Sequence, residues 1–498
     1  MDWLLSLGTF GKILNTIILV IEVLLVFNLM ILVHEWGHFL AARWRGLYVD
    51  RFQIWFGKPL WKKTINGVQY GLGCIPAGGF VSLPQMAPME AIEGNVDTKE
   101  PLPPITPLDK IIVAFAGPLF SFCLAALFAF LVSWLGKPET EPLVTTTIGY
   151  VAEDSAASKG GLKVGDKIIE IDDQPIKRFE GFVDSVRWAI IASEGTNIVF
   201  KVDRPGQGLV ECPVPAEAAR VAPEKSSFFS SIFKRPPLKD IGIAGKETPM
   251  VGQVQENSPA AEADLQSGDQ LLTLNGQPIY NRLQISEAVQ ASDGKPIALT
   301  IRRAKTEQSI SITPRLPDKR PEEITKPMLG IVWHATGKRE INHPGVGEQL
   351  SAASRSMVNM IQKLFSPKSD ISPAHMSGPV GIGRVYYNLL QDPDALLMVL
   401  WFSVVLNVNL AIMNMLPFPV LDGGHITMAI AEWIRRKPLQ GRILEAFQTA
   451  CALMLFGFLI FVTLKDAGDL FLGGSKKDKA SPAKPGAEIQ WLPKADRK

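Results

Sequence analysis

Four runs of this chain are apolar for long enough to cross a bilayer, roughly Ile13–Ala42, Ile111–Leu135, Leu396–Leu416 and Ile443–Leu464. A spanning helix needs about 20 such residues. Hydrocarbon offers no partner to backbone N–H and C=O groups, so runs of this kind fold as helices. The mean hydropathy is +0.14, above what a chain of 498 residues shows when all of it is in water. The first run has the position of a signal peptide. It is too long, lacks a basic start, and has no small-residue cleavage site before residue 34, so it is read as retained.

Flanking charge orients the runs. Arg43, Arg45, Arg51, Lys58, Lys62 and Lys63 lie between the first two, and Arg435, Arg436, Lys437 and Arg442 between the last two. Basic loops stay in the cytoplasm. Both termini and residues 137–393 are therefore expected outside, and a bacterial inner membrane is the simplest setting. The net charge of +2 is too balanced for a nucleic-acid partner. Cys74, Cys123, Cys212 and Cys451 are scattered without a CxxC pair, which argues against a disulfide framework and a cysteine-rich zinc site.

The outer region repeats itself. Ser155-Ala156-Ala157, Gly165-Asp166-Lys167-Ile168 and Gln174-Pro175-Ile176 recur as Ser258-Pro259-Ala260, Gly268-Asp269-Gln270-Leu271 and Gln277-Pro278-Ile279. The register is unbroken, which implies duplicated domains of about 100 residues. The pattern resembles the PDZ domain, a mixed α/β module that binds peptide ends by strand addition. Ile241-Gly242-Ile243 and Leu329-Gly330-Ile331 are candidates for the loops that take a peptide carboxylate. Loss of peptide binding, with the domains acting as spacers or covers, is the alternative. Val346–Phe365 has helical apolar spacing; it either lies on the membrane surface or packs on a PDZ domain. The tail from Lys476 is rich in Lys, Pro and Ala, a composition expected to be disordered.

The chemistry sits in the first apolar run. His34 and His38, spaced i and i+4, share a helix face one turn apart. Two imidazoles so placed converge on Zn²⁺. Glu35 projects beside them and suits a general base acting on a metal-bound water. Ionisable groups in a spanning helix default to function. His38 is five residues from Arg43, so the site lies about 7 Å inside the cytoplasmic end. Glu22 lies about 18 Å earlier along the axis, nearer the outer face, and suits a water path or a local interfacial pair.

A catalytic zinc takes a third protein ligand. Asp422, in Asn414-Met415-Leu416-Pro417-Phe418-Pro419-Val420-Leu421-Asp422-Gly423-Gly424-His425, is the candidate, with His425 as rival. The prolines end the third apolar run, and its orientation brings this segment to the depth of His34 and His38.

These motifs resemble the site-2 protease family, in particular its bacterial regulators of sigma with tandem PDZ domains. The resemblance extends over nearly the whole chain and includes His-Glu-x-x-His, Ala116-Gly117-Pro118, the repeats, Ser377-Gly378-Pro379-Val380-Gly381-Ile382 and the Asn414-to-Gly423 signature. It implies one zinc held by His34, His38 and Asp422, Glu35 as base, and Asn414 on the substrate backbone or developing oxyanion. It also implies a single-pass substrate of the anti-sigma-factor type, already shortened by another protease, or leftover signal peptides. The family commonly carries Asn shortly after the Gly-Pro of the second span; here Ser121 stands in that neighbourhood.

Thr64–Tyr70 holds an Asn66-Gly67 hairpin turn, and Tyr70–Val81 is apolar, Gly-rich and too short to span. The pair looks like the family's re-entrant β-loop, whose edge could receive an unwound substrate through Gly71, Gly73, Ile75 and Pro76. An ordinary cytoplasmic hairpin is the alternative, and Cys74 is a buried loop thiol rather than a ligand.

The fold expected is therefore a multi-pass α-helical membrane protein with four transmembrane helices, a re-entrant β-hairpin and two extracytoplasmic PDZ domains. Its segments are 1–42, 43–108, 109–136, 140–240 and 241–335 for the PDZ pair, 336–393, 394–434, 443–467, and a disordered 472–498. The expected function is an intramembrane zinc endopeptidase in contact with lipid. A PDZ-bearing membrane scaffold with a structural or absent metal is the rival from another class, and retention of Glu35 weighs against it. A transporter is weaker, because the spans show no inverted repeat.

Overall fold

The computed structural model describes residues 8–86, 104–219, 233–321, 324–334, 339–437, 441–471 and 489–493. It divides into two compact units. One comprises Met1–Lys137, His343–Ile361 and Met376–Ala467; the other comprises Pro138–Asn342, Gln362–His375 and Gly468–Lys498.

In the first unit, four helices are long and apolar enough to cross a membrane: Ile13–Trp44, Pro107–Leu135, Ala395–Asn414 and Ala446–Leu470. They coincide with the four apolar runs. The first lies in α1 (Gly8–Trp44), the second is α2 (Pro107–Leu135). The start of α2 is written locally. Thr106 Oγ1 accepts from the Asp109 amide and the Asp109 carboxylate accepts from the Thr106 amide, with Pro107 at the first helical position. Arg45, just past α1, reaches Asp109 Oδ1 at 2.6 Å and ties the end of one span to the start of the next.

A four-stranded sheet fills the stretch between them: β1 (Arg51–Phe56), β2 (Trp61–Ile65), β3 (Val68–Leu72) and β4 (Ile75–Ser82), in the order β2-β3-β1-β4. The Asn66-Gly67 turn joins β2 to β3, both residues having positive φ as a two-residue hairpin demands. A lone hairpin was expected here. The sheet is larger because β1 inserts between β3 and β4, pairing parallel with one and antiparallel with the other. Two short strands alone are marginal in water. Phe52, Val68 and Val81 pack with Phe39 and Ala42 of α1 and with Val113 and Ala116 of α2.

Further along come α3 (Val346–Phe365), α4 (Pro379–Leu389), α5 (Ala395–Asn414), α6 (Asp422–Arg435) and α7 (Gly441–Phe471). The expected 394–434 segment is two helices, because Pro417 and Pro419 cannot extend the ladder of α5. The α3 helix has the bounds its spacing predicts. Its Ala353 is buried with Ala125 of α2 and Val408 of α5, and Gln349 Nε2 donates to the Ala129 carbonyl at 2.9 Å. The central element is α2, which packs against α1, α5 and α6.

The second unit holds the repeats. Ser155 and Ser258 each cap a one-turn helix, accepting from the Ser158 and Ala261 amides. The Gly-Asp turn has a physical reason in both copies. Asp166 accepts from the Lys163 amide and receives two bonds from Arg204; Asp269 accepts from Gln266 and receives two from Arg303. A bidentate pair satisfies a carboxylate that is almost fully buried in each copy. The boundary between copies moves from 240/241. Ile243–Gly245 pairs antiparallel with Ile148–Val151, and Ile241 and Ile243 join the first core, so this segment belongs to the first domain. In the second domain Val251–Val254 pairs with Ile331–Trp333.

The tail needs a correction at residues 489–493. Gln490 bridges Lys319, and Trp491 is buried against the second domain. Burial of a large ring on a folded surface overrides the polar composition around it. The rest of the expected 472–498 tail lies outside the described residues, as does much of the linker between the repeats.

Candidate metal centre

The site begins with helical spacing. His34 and His38 stand one turn apart on α1, and their Nε2 atoms are 3.2 Å from each other. The outer nitrogens are held by α2: His34 Nδ1 lies 3.0 Å from Ser121 Oγ, and His38 Nδ1 lies 2.8 Å from the Val113 carbonyl oxygen. A carbonyl only accepts, so His38 carries a proton on Nδ1, and in the neutral ring this leaves the Nε2 lone pair turned inward. Pro118 breaks the α2 ladder at the carbonyl of Ala114, next to the one His38 uses.

Close approach of the two helices depends on two glycines. A side-chain carbon at Gly37 would sit 2.5 Å from the Ala116 carbonyl oxygen. One at Gly117 would sit 2.1 Å from His38 Nε2, on top of the donor atom itself.

Asp422 arrives from the other end of the chain as the first residue of α6. The turn before it folds tightly back, and carbons added at Gly423 or Gly424 would strike the carbonyls of Met415 and Phe418. Asp422 Oδ2 is 3.2 Å from His34 Nε2, and Oδ1 is 3.3 Å from His38 Nε2. One donor atom from each of His34, His38 and Asp422 lies within 4.8 Å of the others, the only such group found among the described residues. His425, the rival ligand, is outside it.

The group fits zinc on two counts. Zn–N and Zn–O bonds of about 2.0–2.1 Å in a tetrahedron put neighbouring donors about 3.3–3.4 Å apart, close to the spacing here. The chemistry also calls for a cation. A bare imidazole lone pair faces a carboxylate, acceptor against acceptor, and Asp422 Oδ2 is buried without a hydrogen-bond partner. A divalent ion at the centre satisfies all three.

Two further residues flank the trio. Asn414, the last residue of α5, places Nδ2 3.4 Å from His34 Nε2. Glu35 is half-buried beside β4; a carbon added at Gly79 would lie 3.6 Å from its Cγ. The sheet is anchored to the same helix, since Trp55 Nε1 donates to Asn28 Oδ1.

The strand-receiving residues divide. Gly71 is paired on both sides, with Gln53 of β1 and Lys62 of β2, and Gly73 is packed against the Phe56 and Trp55 carbonyls. Neither backbone is open to another strand: β3 is interior to the sheet, and Gly73, just past its end, is buried and donates its amide to the Ile54 carbonyl. Ile75 and Pro76 are exposed on β4, the edge strand. Sequence reasoning left Ser121 without a role and did not single out Val113. Only the folded contact between α1 and α2 shows that they hold the two imidazoles. A ligand's outer hydrogen bond typically affects metal affinity 10–100-fold. Ser121→Ala is expected to weaken zinc binding by about tenfold in competition with a chelating dye. Unchanged affinity would mean that Ser121 only fills space.

Comparison with known proteins follows this geometry. The pattern describing Peptidase family M50 matches residues 22–458. A Salmonella typhi protein named regulator of sigma E protease is 27% identical over 451 residues, covering 84% of this chain and 92% of its own. A Haemophilus influenzae (strain ATCC 51907 / DSM 11121 / KW20 / Rd) protein of the same name is 27% identical over 488 residues, covering 94% and 99%. A Pasteurella multocida (strain Pm70) protein whose name includes the words zinc metalloprotease is 28% identical over 455 residues, covering 88% and 96%. Among solved structures, the PDZ domain of an SdrC-like protein from Listeria monocytogenes covers 18% of this chain and 87% of its own at 16% identity, with a TM-score of 0.15, too weak a likeness to bear on the fold. The family match runs from inside the first apolar helix to inside the last, and the chain therefore belongs to Peptidase family M50, as a zinc metalloprotease of the site-2 type.

Proposed function

We propose that this protease cuts a peptide bond within the transmembrane segment of a single-pass protein, using one zinc held by His34, His38 and Asp422. The carrying observation is the position of the donor trio: two ligands lie inside an apolar helix and the third opens the helix that follows another after a short turn. Zinc bound there supplies a Lewis acid for the scissile carbonyl and lowers the pKa of the attacking water. The Glu35 carboxylate takes the proton from that water and returns it to the leaving amine. The Asn414 amide donates to the substrate backbone or to the oxygen that gains charge.

A helical target hides its carbonyls in its own ladder. The edge position of β4 supports the idea that an unwound stretch pairs there, through Ile75 and Pro76, on the strand whose Gly79 lies beside Glu35. The enzyme resides in a bacterial inner membrane, with the basic loops and the site toward the cytoplasm and the PDZ pair and both termini outside. Contact of Trp491 with the second domain supports a shared side for that domain and the C-terminus. The relatives' names support a substrate of the anti-sigma-factor type, pre-trimmed by another protease, with leftover signal peptides as a further class.

Reconstitution in vesicles tests this reading. A single-span substrate is expected to be cut inside its apolar segment, with activity lost on chelation and restored by zinc. Cleavage confined to residues outside that segment would defeat it. The repeats are assigned the role of excluding substrates with an intact outer domain. Removing residues 145–335 should then allow cleavage of full-length substrate; continued dependence on prior trimming would rule out the filter.

A further inference from the structure

The short segment at residues 489–493 makes more contact than a loose tail requires. Gln490 pairs as in an antiparallel strand: its amide donates to the Lys319 carbonyl at 3.0 Å, and its carbonyl accepts from the Asp318 and Lys319 amides, both at 3.1 Å. The Leu492 amide donates to Asp318 Oδ2 at 2.8 Å. Between them Trp491 is 6% exposed. Its Nε1 donates to Gln255 Oε1 at 2.7 Å, and the Arg315 guanidinium lies over the ring, 4.6 Å from its centroid.

The receiving side chains are themselves fixed. Arg315 donates to the Asn257 carbonyl at 2.6 Å and to Asp318 Oδ2 at 2.9 Å. The indole also touches the second domain's glycine loop. Gly330 has φ +77°, and a carbon added there would lie 2.2 Å from Ser258 Cβ and 3.4 Å from Trp491 Cε2. The Gly330 carbonyl accepts from the Gln255 amide, so the residue that holds the indole also holds the loop. The ring thus sits against Leu329-Gly330-Ile331, the loop whose sequence resembles a peptide-carboxylate receiver.

The seat is particular to one repeat. At the repeat offset, Ala152 occupies the place of Gln255. Its amide makes the equivalent bond, to the Gly242 carbonyl, but its methyl group offers nothing to an indole N–H. Aromatic burial with a satisfied N–H and a cation on the ring face is how a Trp anchors a binding segment.

We propose that residues 489–493 are a built-in ligand of the second PDZ-like domain, with Trp491 as the anchor that braces its glycine loop. The occupant is this chain's own segment, seated in cis. The seat is a second recognition surface on that domain, reading an indole and a single strand-like residue, Gln490, rather than a free carboxylate.

Amide hydrogen exchange on the full-length protein in detergent tests it without reference to cleavage. Trp491→Ala, and separately a chain ending at Lys476, should each lower protection of the Asp318 and Lys319 amides by about tenfold or more. The first domain's core amides report that the fold persists. A synthetic peptide of residues 486–496 added to the shortened chain should restore protection, and the same peptide with Ala for Trp491 should not. Protection in the intact protein should not change over a wide range of protein concentration. The proposal is overturned by unchanged protection in both variants, or by rescue with the Trp-free peptide. Protection that falls on dilution would assign the seat to a second copy's tail and overturn it equally.

Discussion

Glu35→Gln retains its zinc and loses about 10²–10⁴-fold in cleavage of a single-span substrate. The substitution keeps size and shape and removes only the basic oxygen. Glu35 is outside the donor trio, so the ligands and their supports on α2 are untouched. It borders β4, where a carbon added at Gly79 would lie 3.6 Å from its Cγ. Asp422→Asn is the matched contrast, since a neutral amide replaces an anionic ligand and zinc content should fall with activity. Parallel measurement of zinc by atomic spectroscopy and of cleavage separates the two roles. Near-normal turnover by Glu35→Gln would remove the general base from the mechanism. Loss of zinc in that variant would make Glu35 part of the metal site instead.

Gly117→Ala should cost the protein its metal although residue 117 is no ligand. The added carbon would stand 2.1 Å from His38 Nε2 and 2.4 Å from its Cε1, overlapping the ring and forcing the imidazole off its place. Relief by sliding α2 is opposed by the tight crossing at Gly37, where an added carbon would meet Ala116 and Phe120, and by the Val113 carbonyl that holds His38 Nδ1. Zinc affinity is expected to drop by about 10–100-fold or more, as for loss of a ligand's support, and cleavage at limiting zinc should fall in step. Gly457→Ala in α7, where a new carbon meets nothing within 4 Å, is the control. Full zinc occupancy in Gly117→Ala at limiting metal would show that the helices yield more than this packing implies.

Much of this was legible in the residues. Apolar runs define spans because lipid admits few alternatives, and i,i+4 histidines share a face whatever surrounds them. The repeat register foretold two similar domains, and Val346–Phe365 is a helix with the bounds its spacing suggested. What was not legible depends on contacts between distant segments. β1 inserts into a sheet whose hairpin alone is marked locally, so Gly71 and Gly73 look like an open edge in sequence and are interior in space. Ser121 and the Val113 carbonyl become supports of the imidazoles only when α2 crosses α1. Ile241–Gly245 reads as the start of the second repeat and closes the first. Trp491 stands with Ile489 and Leu492 in a short apolar patch of a polar tail, and no local pattern points it at Gln255.

The distribution of the donors along the chain sets an order of events during synthesis. His34 and His38 emerge early, within the first helix. Asp422 emerges only after both repeats have been made and the third apolar helix is complete. A nascent chain therefore carries the two imidazoles before it carries Asp422, and the proposed donor set is still open. If zinc is held as proposed, the last donor is made only after the outer domains, so the set closes once the parts proposed to choose substrates have been built.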